Sequence, residues 1–231
     1  MVTAKQIAQR IDQSLLKADS TPDQVVQLCE GAVKYGFYSV DVLPCYVHFA
    51  LKHLVGSDVK VITVIGYPLG ANTTAIKVLE ALKAVKDGAE EIDMVMNIGL
   101  FKAGEYREVK KDIHEVACAV KPKPVKVIIE TGFLTNEEIV KASKLVKDAG
   151  AAFVKTGTGY GPKGATVPDI KLIRKAVGKQ MGIKAAGGIR TAKQAIALIK
   201  AGATRLGTSS GVEIVKELLP KEKKKPKRKS K

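Results

Sequence analysis

Residues 149–155 (AGAAFVK) join a glycine to a short apolar stretch, and the chain contains this arrangement four times. The other copies begin at Gly36, Gly88 and Gly202, and each glycine follows a helical pattern. Glycine favours the left-handed conformation that ends helices, so each copy predicts a helix end followed by a strand. The glycines lie 52, 62 and 52 residues apart, about two strand–helix units per interval.

The segments between these copies complete a regular alternation. Residues 60–66 (KVITVIG), 125–130 (VKVIIE), 182–188 (GIKAAGG) and 10–16 predict the remaining four strands. Helical faces are predicted from Val78, Leu79, Leu82 and Val85, and from Val109, Ile113, Val116 and Val120. Capping boxes beginning at Thr21, Thr135 and Thr191 predict helix starts. The predicted fold class is α/β, a closed (β/α)8 TIM barrel, with a doubly wound open sheet as the alternative.

Length and composition indicate the number of domains and the cellular compartment that we expect for this chain. The 231 residues are 45% hydrophobic and carry a formal charge of +16, with eight basic residues and one acidic residue in 221–231. We therefore expect one barrel domain over 1–220 and a disordered basic tail over 221–231. No apolar stretch approaches the roughly 18 residues of a membrane span. The absence of a signal-peptide pattern and the three scattered cysteines favour the cytoplasm.

Charged residues interrupt three of the predicted strands. Asp93, Lys155 and Lys184 lie near the ends of apolar segments, and Asp12 lies on the first strand. Because the carboxyl ends of barrel strands open on one face, these side chains should converge there. A buried salt-bridge network is the alternative interpretation.

Two lysines and a carboxylate at the same end of the barrel indicate a reaction in which a lysine amine is the nucleophile. A neighbouring ammonium and partial burial lower the pKa of a lysine. Lowering it from ~10.4 to ~7 takes roughly 4–5 kcal/mol. The free amine of Lys155 could then attack a carbonyl, and the resulting iminium would permit carbon–carbon cleavage. Asp93 is placed to transfer protons.

Two glycine-rich segments predict a phosphate site. Residues 207–211 (GTSSG) follow the last strand and residues 187–190 (GGIR) follow the seventh. Backbone N–H groups at such turns bind anions, and these two loops form the usual phosphate site of barrels. Tight turns without a ligand are the alternative.

Other motifs lack the context that their function requires. Residues 159–164 match G-x-G-x-x-G, but no acidic residue ends the next strand, which argues against a dinucleotide site. His48, His53 and His114 lack metal-ligand spacing. These two observations argue against a dinucleotide site and against a zinc-dependent aldolase.

The motifs together resemble the deoxyribose-phosphate aldolase family. They are residues 91–95 (EIDMV), 153–159 (FVKTGTG), 184–191 (KAAGGIRT), 207–211, 64–70 (VIGYPLG) and 11–17 (IDQSLLK), in order along about 11–215. The resemblance implies reversible cleavage of 2-deoxy-D-ribose 5-phosphate into D-glyceraldehyde 3-phosphate and acetaldehyde. It implies Lys155 as the Schiff-base lysine, Lys184 and Asp93 as its catalytic partners, Asp12, Ser14 and Thr156 as supporting residues, and Gly187, Gly188, Gly207, Ser209 and Ser210 as the phosphate site.

Some positions depart from the family pattern. Gln13 replaces a usual histidine, Asp41 replaces a common cysteine, and Gly157 replaces a serine. The chain also ends without the tyrosine that some members carry. These departures bear on substrate preference, because the predicted catalytic set is unchanged.

The resemblance implies a homo-oligomer that acts on a small phosphorylated sugar and needs neither a metal nor an organic cofactor. We expect no membrane partner and no nucleic-acid partner. Two alternatives stay open. One is a Schiff-base aldolase for another sugar phosphate. The other is a barrel that binds nucleic acid through the basic tail, since Lys/Arg-rich segments bind phosphate backbones.

Overall fold

Eight parallel strands form one closed barrel, in sequence order, in a computed structural model that describes residues 3–220. Strands β1 to β8 are Ile11–Leu15, Ser39–Val42, Lys60–Ile65, Glu91–Val95, Val125–Ile128, Phe153–Lys155, Gly182–Ala186 and Arg205–Thr208. Pairing of β1 with β8 closes the barrel, which confirms the predicted (β/α)8 fold and excludes the open sheet.

Ten α-helices accompany the strands in the described residues. Helices α1 to α10 are Ala4–Ala8, Pro22–Tyr35, Val47–His53, Thr74–Lys86, Ile98–Lys102, Tyr106–Ala119, Asn136–Asp148, Val167–Val177, Ala192–Ala201 and Gly211–Leu218. Short 3-10 turns occupy Pro44–Tyr46 and Thr131–Phe133. None of these ten helices has both the length and the hydropathy of a membrane span.

The predicted helix boundaries are largely confirmed. Thr21, Thr135 and Thr191 each cap a helix, and the side chain three residues later bonds back to the cap backbone. These reciprocal bonds satisfy N–H groups that a helix start otherwise leaves unpaired. The four glycines that mark the helix ends all have positive φ. Local sequence therefore sets where the helices begin and end.

The predicted face of α4 is wrong in part. Leu79 and Leu82 are 61% and 45% exposed, whereas Val109, Ile113, Val116 and Val120 of α6 are buried as predicted. The residues that α4 buries are Lys77, Ala81 and Ala84. Lys77 Nζ lies 2.6 Å from Asp112 Oδ2 of α6, and this buried ion pair turns the small residues of α4 inward.

The barrel interior carries charge, while the apolar core lies between the strands and the helices. Parallel pairing places Lys155 opposite Lys184, and Asp93 opposite Lys126. Alternate residues of a strand point to the same side, so this register directs charged side chains from several strands into one interior. The ion network described below follows from that arrangement.

Candidate active site

A cavity of about 310 Å³ opens at the carboxyl ends of the strands. Its lining includes Ser14, Asp41, Lys155, Gly187, Gly207 and Ser209. These residues come from five different strands or the loops that follow them. Active sites of (β/α)8 enzymes occupy this face, because the strand ends and their loops meet there.

Lys155 ends β6 and lines the cavity. Its side chain is 2% exposed, and its Nζ donates a hydrogen bond to Asp93 Oδ2 at 2.6 Å. Asp41 Oδ2 lies 3.7 Å from the same nitrogen. Two carboxylates thus lie within 4 Å of the Lys155 nitrogen.

Asp93 lies in the middle of β4 and is fully buried. Its Oδ1 accepts a hydrogen bond from Lys126 at 2.8 Å. Its Oδ2 accepts from Lys155 and from Lys184, the latter at 2.7 Å. Burial alone would raise the pKa of Asp93, but the three ammonium groups hold that pKa well below its ordinary value. Asp93 is therefore a fixed negative charge between three lysines.

Lys184 lies in the middle of β7 among three carboxylates. Its Nζ is 2.7 Å from Asp12 Oδ2, 2.9 Å from Asp41 Oδ2 and 2.7 Å from Asp93 Oδ2. Burial alone would lower the pKa of Lys184, but the three carboxylates raise it well above its ordinary value. Burial likewise opposes ionisation of Asp12, yet Lys184, Arg205 and Lys126 lower the pKa of Asp12 to about 2.

The positions of Asp93 and Lys184 differ from the prediction. Both were expected near strand ends, but they lie in mid-strand and do not line the cavity. Only Lys155 ends its strand. The alternative interpretation, a buried salt-bridge network, is therefore also correct. Asp93 and Lys184 belong to a network of buried ion pairs that includes the Lys155 ammonium.

Three further charged side chains of the barrel interior were missed. Lys126 Nζ lies 2.6 Å from Glu91 Oε2, and Arg205 Nη1 lies 2.8 Å from Asp12 Oδ1. Lys126 lies between two apolar residues of its strand as Lys184 does, so the rule that selected Lys184 would also have found it. Glu91 and Arg205 begin their strands, where a charge is ordinarily solvated and carries little signal.

Four of the five predicted phosphate-site residues line the cavity. Gly187 and Gly188 have φ values of 99° and 71°, which glycine adopts without strain. Gly207 also lines it, and a Cβ there would lie 2.8 Å from Lys184 Cε. Ser210 is the N-cap of α10 and does not line the cavity. Its N–H donates to Thr208 Oγ1 at 2.9 Å.

The side chain of Gln13 forms two hydrogen bonds with the loop between β8 and α10. Its Nε2 donates to the Ser209 carbonyl at 2.9 Å, and its Oε1 accepts from Gly211 N–H at 2.9 Å. The side-chain amide is well matched to this task, because it presents one donor and one acceptor at once. The sequence analysis noted Gln13 only as a departure from the family pattern and missed these hydrogen bonds to the loop.

The two remaining supporting residues have different surroundings. Ser14 lines the cavity, as predicted. Thr156 is buried, and its hydroxyl donates to the Ala186 carbonyl at 2.9 Å and accepts from Ala186 N–H at 3.0 Å. Thr156 therefore ties the end of β6 to the end of β7 and does not line the cavity.

The position of Glu130 explains the glycine at residue 157, which is one of the departures from the family pattern. It has a positive φ of 50°, and its Oε2 accepts from Thr158 N–H at 2.9 Å. A Cβ at Gly157 would lie 2.8 Å from Glu130 Oε1. Glycine at this position lets the loop after Lys155 pack directly against the buried carboxyl group.

The histidines do not form a cluster. His114 Nδ1 lies 3.2 Å from the Ala149 carbonyl, and His53 packs on Phe49 with ring centroids 4.7 Å apart. Residues 3–220 contain no group of three or more His, Cys, Asp or Glu side chains that could hold a metal ion.

A family model described as DeoC/LacD family aldolase matches residues 6–217. The chain belongs to this aldolase family. A deoxyribose-phosphate aldolase of Thermoanaerobacter sp. (strain X514) is 56% identical over 91% of this chain and 96% of its own length. One from Thermococcus gammatolerans is 56% identical over 90% and 95% of the respective chains. The family assignment therefore covers nearly the whole barrel.

Solved structures of aldolases have the same fold as this aldolase. QR15, an aldolase, is 40% identical with a TM-score of 0.88, covering 91% of this chain and 95% of its own. The deoxyribose phosphate aldolase of Aeropyrum pernix, which has a unique tetrameric structure, is 30% identical with a TM-score of 0.86. The match covers 94% of this chain and 92% of that one.

Proposed function

We propose that this aldolase reversibly cleaves 2-deoxy-D-ribose 5-phosphate into D-glyceraldehyde 3-phosphate and acetaldehyde, with Lys155 as the Schiff-base lysine. The main support is the position of Lys155, a buried lysine on a cavity wall whose rim carries two glycine-rich loops. The names of the relatives at 56% identity support the same substrate.

The proposed chemistry uses the chain's own residues and needs no cofactor. The Lys155 amine attacks the aldehyde carbon, and the iminium that forms withdraws electrons as the carbon–carbon bond breaks. Asp93 and Lys184 keep the network around Lys155 charged and fixed, and Asp12 holds Lys184. Ser14 offers a hydroxyl to the substrate from the cavity wall.

The phosphate would bind between the loops after β7 and β8. Gly187, Gly188, Gly207 and Ser209 reach the cavity, and the N-terminus of α10 begins beside them. Backbone N–H groups and the positive end of a helix favour an anion at such a place. Ser210 contributes as the N-cap that sets the loop's path.

Reductive trapping tests this function. Borohydride added to enzyme and 2-deoxyribose 5-phosphate should fix one adduct on Lys155, located by peptide mapping. The uninhibited reaction should release acetaldehyde. An adduct on another lysine would refute the role of Lys155. Turnover of a different sugar phosphate without acetaldehyde would favour the alternative substrate.

Gln13 provides a prediction for the phosphate loop. Gln13→Leu removes both bonds to the loop, so KM for 2-deoxyribose 5-phosphate should rise about tenfold, as losing one to two hydrogen bonds implies. Turnover of unphosphorylated 2-deoxyribose should change little, because it has no phosphate to lose. Gln9→Leu, an exposed glutamine outside the cavity, is the matched control. Equal losses on both substrates would contradict the assignment.

The domain boundary and the tail remain proposals. We propose that residues 1–220 form one catalytic domain, consistent with the family match to residues 6–217. The predicted disorder and any nucleic-acid binding of 221–231 concern residues outside the described part of the chain. Deletion of 221–231 should leave aldolase turnover unchanged; a large loss would contradict the proposed boundary.

We further propose a cytoplasmic homo-oligomer. The free cysteines Cys29, Cys45 and Cys118 fit a reducing compartment. Leu79 and Leu82, three residues apart on α4, are both exposed, and neighbouring exposed apolar side chains are a feature of surfaces that bind another subunit. Light scattering should give a multiple of the 24.7 kDa chain mass, and a monomer at micromolar concentration would contradict the proposal.

A further inference from the structure

The interior network holds four acidic and four basic side chains. The acidic ones are Asp12, Asp41, Glu91 and Asp93, and the basic ones are Lys126, Lys155, Lys184 and Arg205. With all eight ionised, the network is neutral and Lys155 is an ammonium. An ammonium cannot attack a carbonyl, so a proton must leave Lys155 for an acceptor close to it.

Two of the four carboxylates are poor proton acceptors. Asp93 binds three lysines, and its pKa is held well below its ordinary value against the effect of burial. Asp12 binds Lys184 and Arg205, and its pKa is lowered to about 2. A group that holds its charge this firmly does not take up a proton near neutral pH.

Glu91 is paired like Asp12 and is remote from the contacts of Lys155. Its Oε2 lies 2.6 Å from Lys126 Nζ and 3.2 Å from Arg205 Nη1. Its Oε1 accepts from the Tyr38 hydroxyl at 2.7 Å. Burial opposes its charge, but Lys126 and Arg205 lower the pKa of Glu91. Asp41 is the acidic residue that remains.

Asp41 differs from the other carboxylates in its contacts. Its Oδ2 is 2.9 Å from Lys184 Nζ and 3.7 Å from Lys155 Nζ, while its Oδ1 has no hydrogen-bond partner within residues 3–220. Asp12 Oδ2 also forms no hydrogen bond within these residues, but it lies 2.7 Å from Lys184 Nζ. Asp41 and Lys155 line the cavity together, whereas Asp12, Glu91 and Asp93 do not. Asp41 is therefore the carboxylate that both lines the cavity and lies within 4 Å of the Lys155 nitrogen, where it can exchange protons with a bound substrate.

The charged groups around Asp41 come from four strands and one loop. Lys184 and Lys155 attract its negative charge, while Asp93, Asp12 and burial oppose it, and burial is the largest effect. The balance raises the pKa of Asp41 above its ordinary value. Tyr67, whose hydroxyl donates to the Thr158 carbonyl at 2.8 Å, faces the same region.

We propose that Asp41 is a catalytic acid–base residue that takes the proton of Lys155 and returns it to the substrate oxygen during Schiff-base formation. This inference rests on the proposed role of Lys155. It assigns to Asp41 the proton transfer that the sequence suggested for Asp93, and Asp93 becomes a positioning residue.

The proposed step balances in atoms and charge. Asp41 accepts a proton from the Lys155 ammonium, and the free amine forms a bond to the aldehyde carbon as the carbonyl π pair moves to oxygen. Asp41 protonates that oxygen and then recovers a proton from the attached nitrogen. It finally gives this proton to the hydroxyl group as the carbon–oxygen bond breaks. The products are the iminium, one water molecule and the original Asp41 carboxylate.

The test is the single-turnover rate of borohydride trapping at Lys155 in Asp41→Asn. We expect this rate to fall on the order of 10²-fold, the usual loss when a general acid–base group is removed. Asp112→Asn removes another buried carboxylate, which pairs with Lys77 between α4 and α6, and should trap at the wild-type rate. Thermal unfolding of each variant reports whether it is folded.

Trapping that is unchanged or faster in Asp41→Asn would contradict the inference. If Asp41 acted only as a charge that stabilises the ammonium, its neutral replacement would free the amine, and trapping would be as fast as in the wild type or faster. That outcome overturns the inference. Asp41→Ala supplies a second arm, since added formate should restore trapping in proportion to its concentration, and no restoration counts against the proposal. Failure of the wild-type enzyme to trap at Lys155 would instead refute the proposed function itself.

Discussion

Replacing Lys155 with arginine is expected to lower kcat on the order of 10⁴- to 10⁶-fold, the range seen when a covalent nucleophile is removed. Arginine keeps the positive charge beside Asp93 and Asp41, so the network stays neutral. It stays protonated in proteins and cannot form the iminium. The measurement is acetaldehyde release from 2-deoxyribose 5-phosphate, combined with borohydride trapping, which should yield no adduct.

Two comparisons make the result specific to the amine. Lys155→Met, similar in length but neutral, should lose turnover equally, which separates nucleophilicity from charge. Lys83→Arg, an exposed lysine paired with Asp87 on α4, should keep full turnover. Substantial activity in both Lys155 variants, with an adduct forming elsewhere, would show that another lysine is the nucleophile.

Replacing Asp93 with asparagine should lower the free energy of unfolding by about 3–5 kcal/mol, as expected when one partner of a buried ion pair is removed. The amide leaves Lys126, Lys155 and Lys184 without the carboxylate that they share. Urea denaturation followed by circular dichroism at pH 7 measures the difference. Asp87→Asn, which breaks an exposed pair with Lys83, should cost less than about 1 kcal/mol.

The pH dependence of this difference has a definite sign. The pKa of Asp93 is lowered by folding, so its ionised form stabilises the folded state at every pH above the unfolded value near 4. That contribution is lost as the pH falls through the lower pKa of the folded state. Wild type and Asp93→Asn should therefore differ fully at neutral pH and converge in acid. A constant difference at all pH values would contradict the assignment.

Most of the fold could be predicted because its signals are local. A capping box such as that of Thr21 satisfies backbone groups within four residues, and Gly150 ends its helix through its own φ. The apolar strands and their regular spacing then specify alternation. The face of α4 was wrong because the buried pair between Lys77 and Asp112 joins residues 35 positions apart, which no local pattern contains.

The residues of the candidate site also fall into two groups, those that local sequence reveals and those that depend on contacts between distant parts of the chain. Lys155 and Lys184 could be found because a lysine in a buried strand needs an explanation. Lys126 obeys the same rule and was missed because its strand was read only for its apolar residues. The bonds of Gln13 to Ser209 and Gly211 could not be found, since almost 200 residues separate the partners.

The sequence by itself determined the alternating strands and helices, the glycine-rich loops and the choice of Lys155 as the proposed nucleophile. Tertiary structure decided which carboxylates reach Lys155 and which of them face the cavity. The reason is geometric, because barrel closure and strand register set the distances between side chains from different strands. Those distances make Asp93 a counter-ion shared by three lysines, and they place Asp41 on the cavity lining with its Oδ2 3.7 Å from Lys155 Nζ.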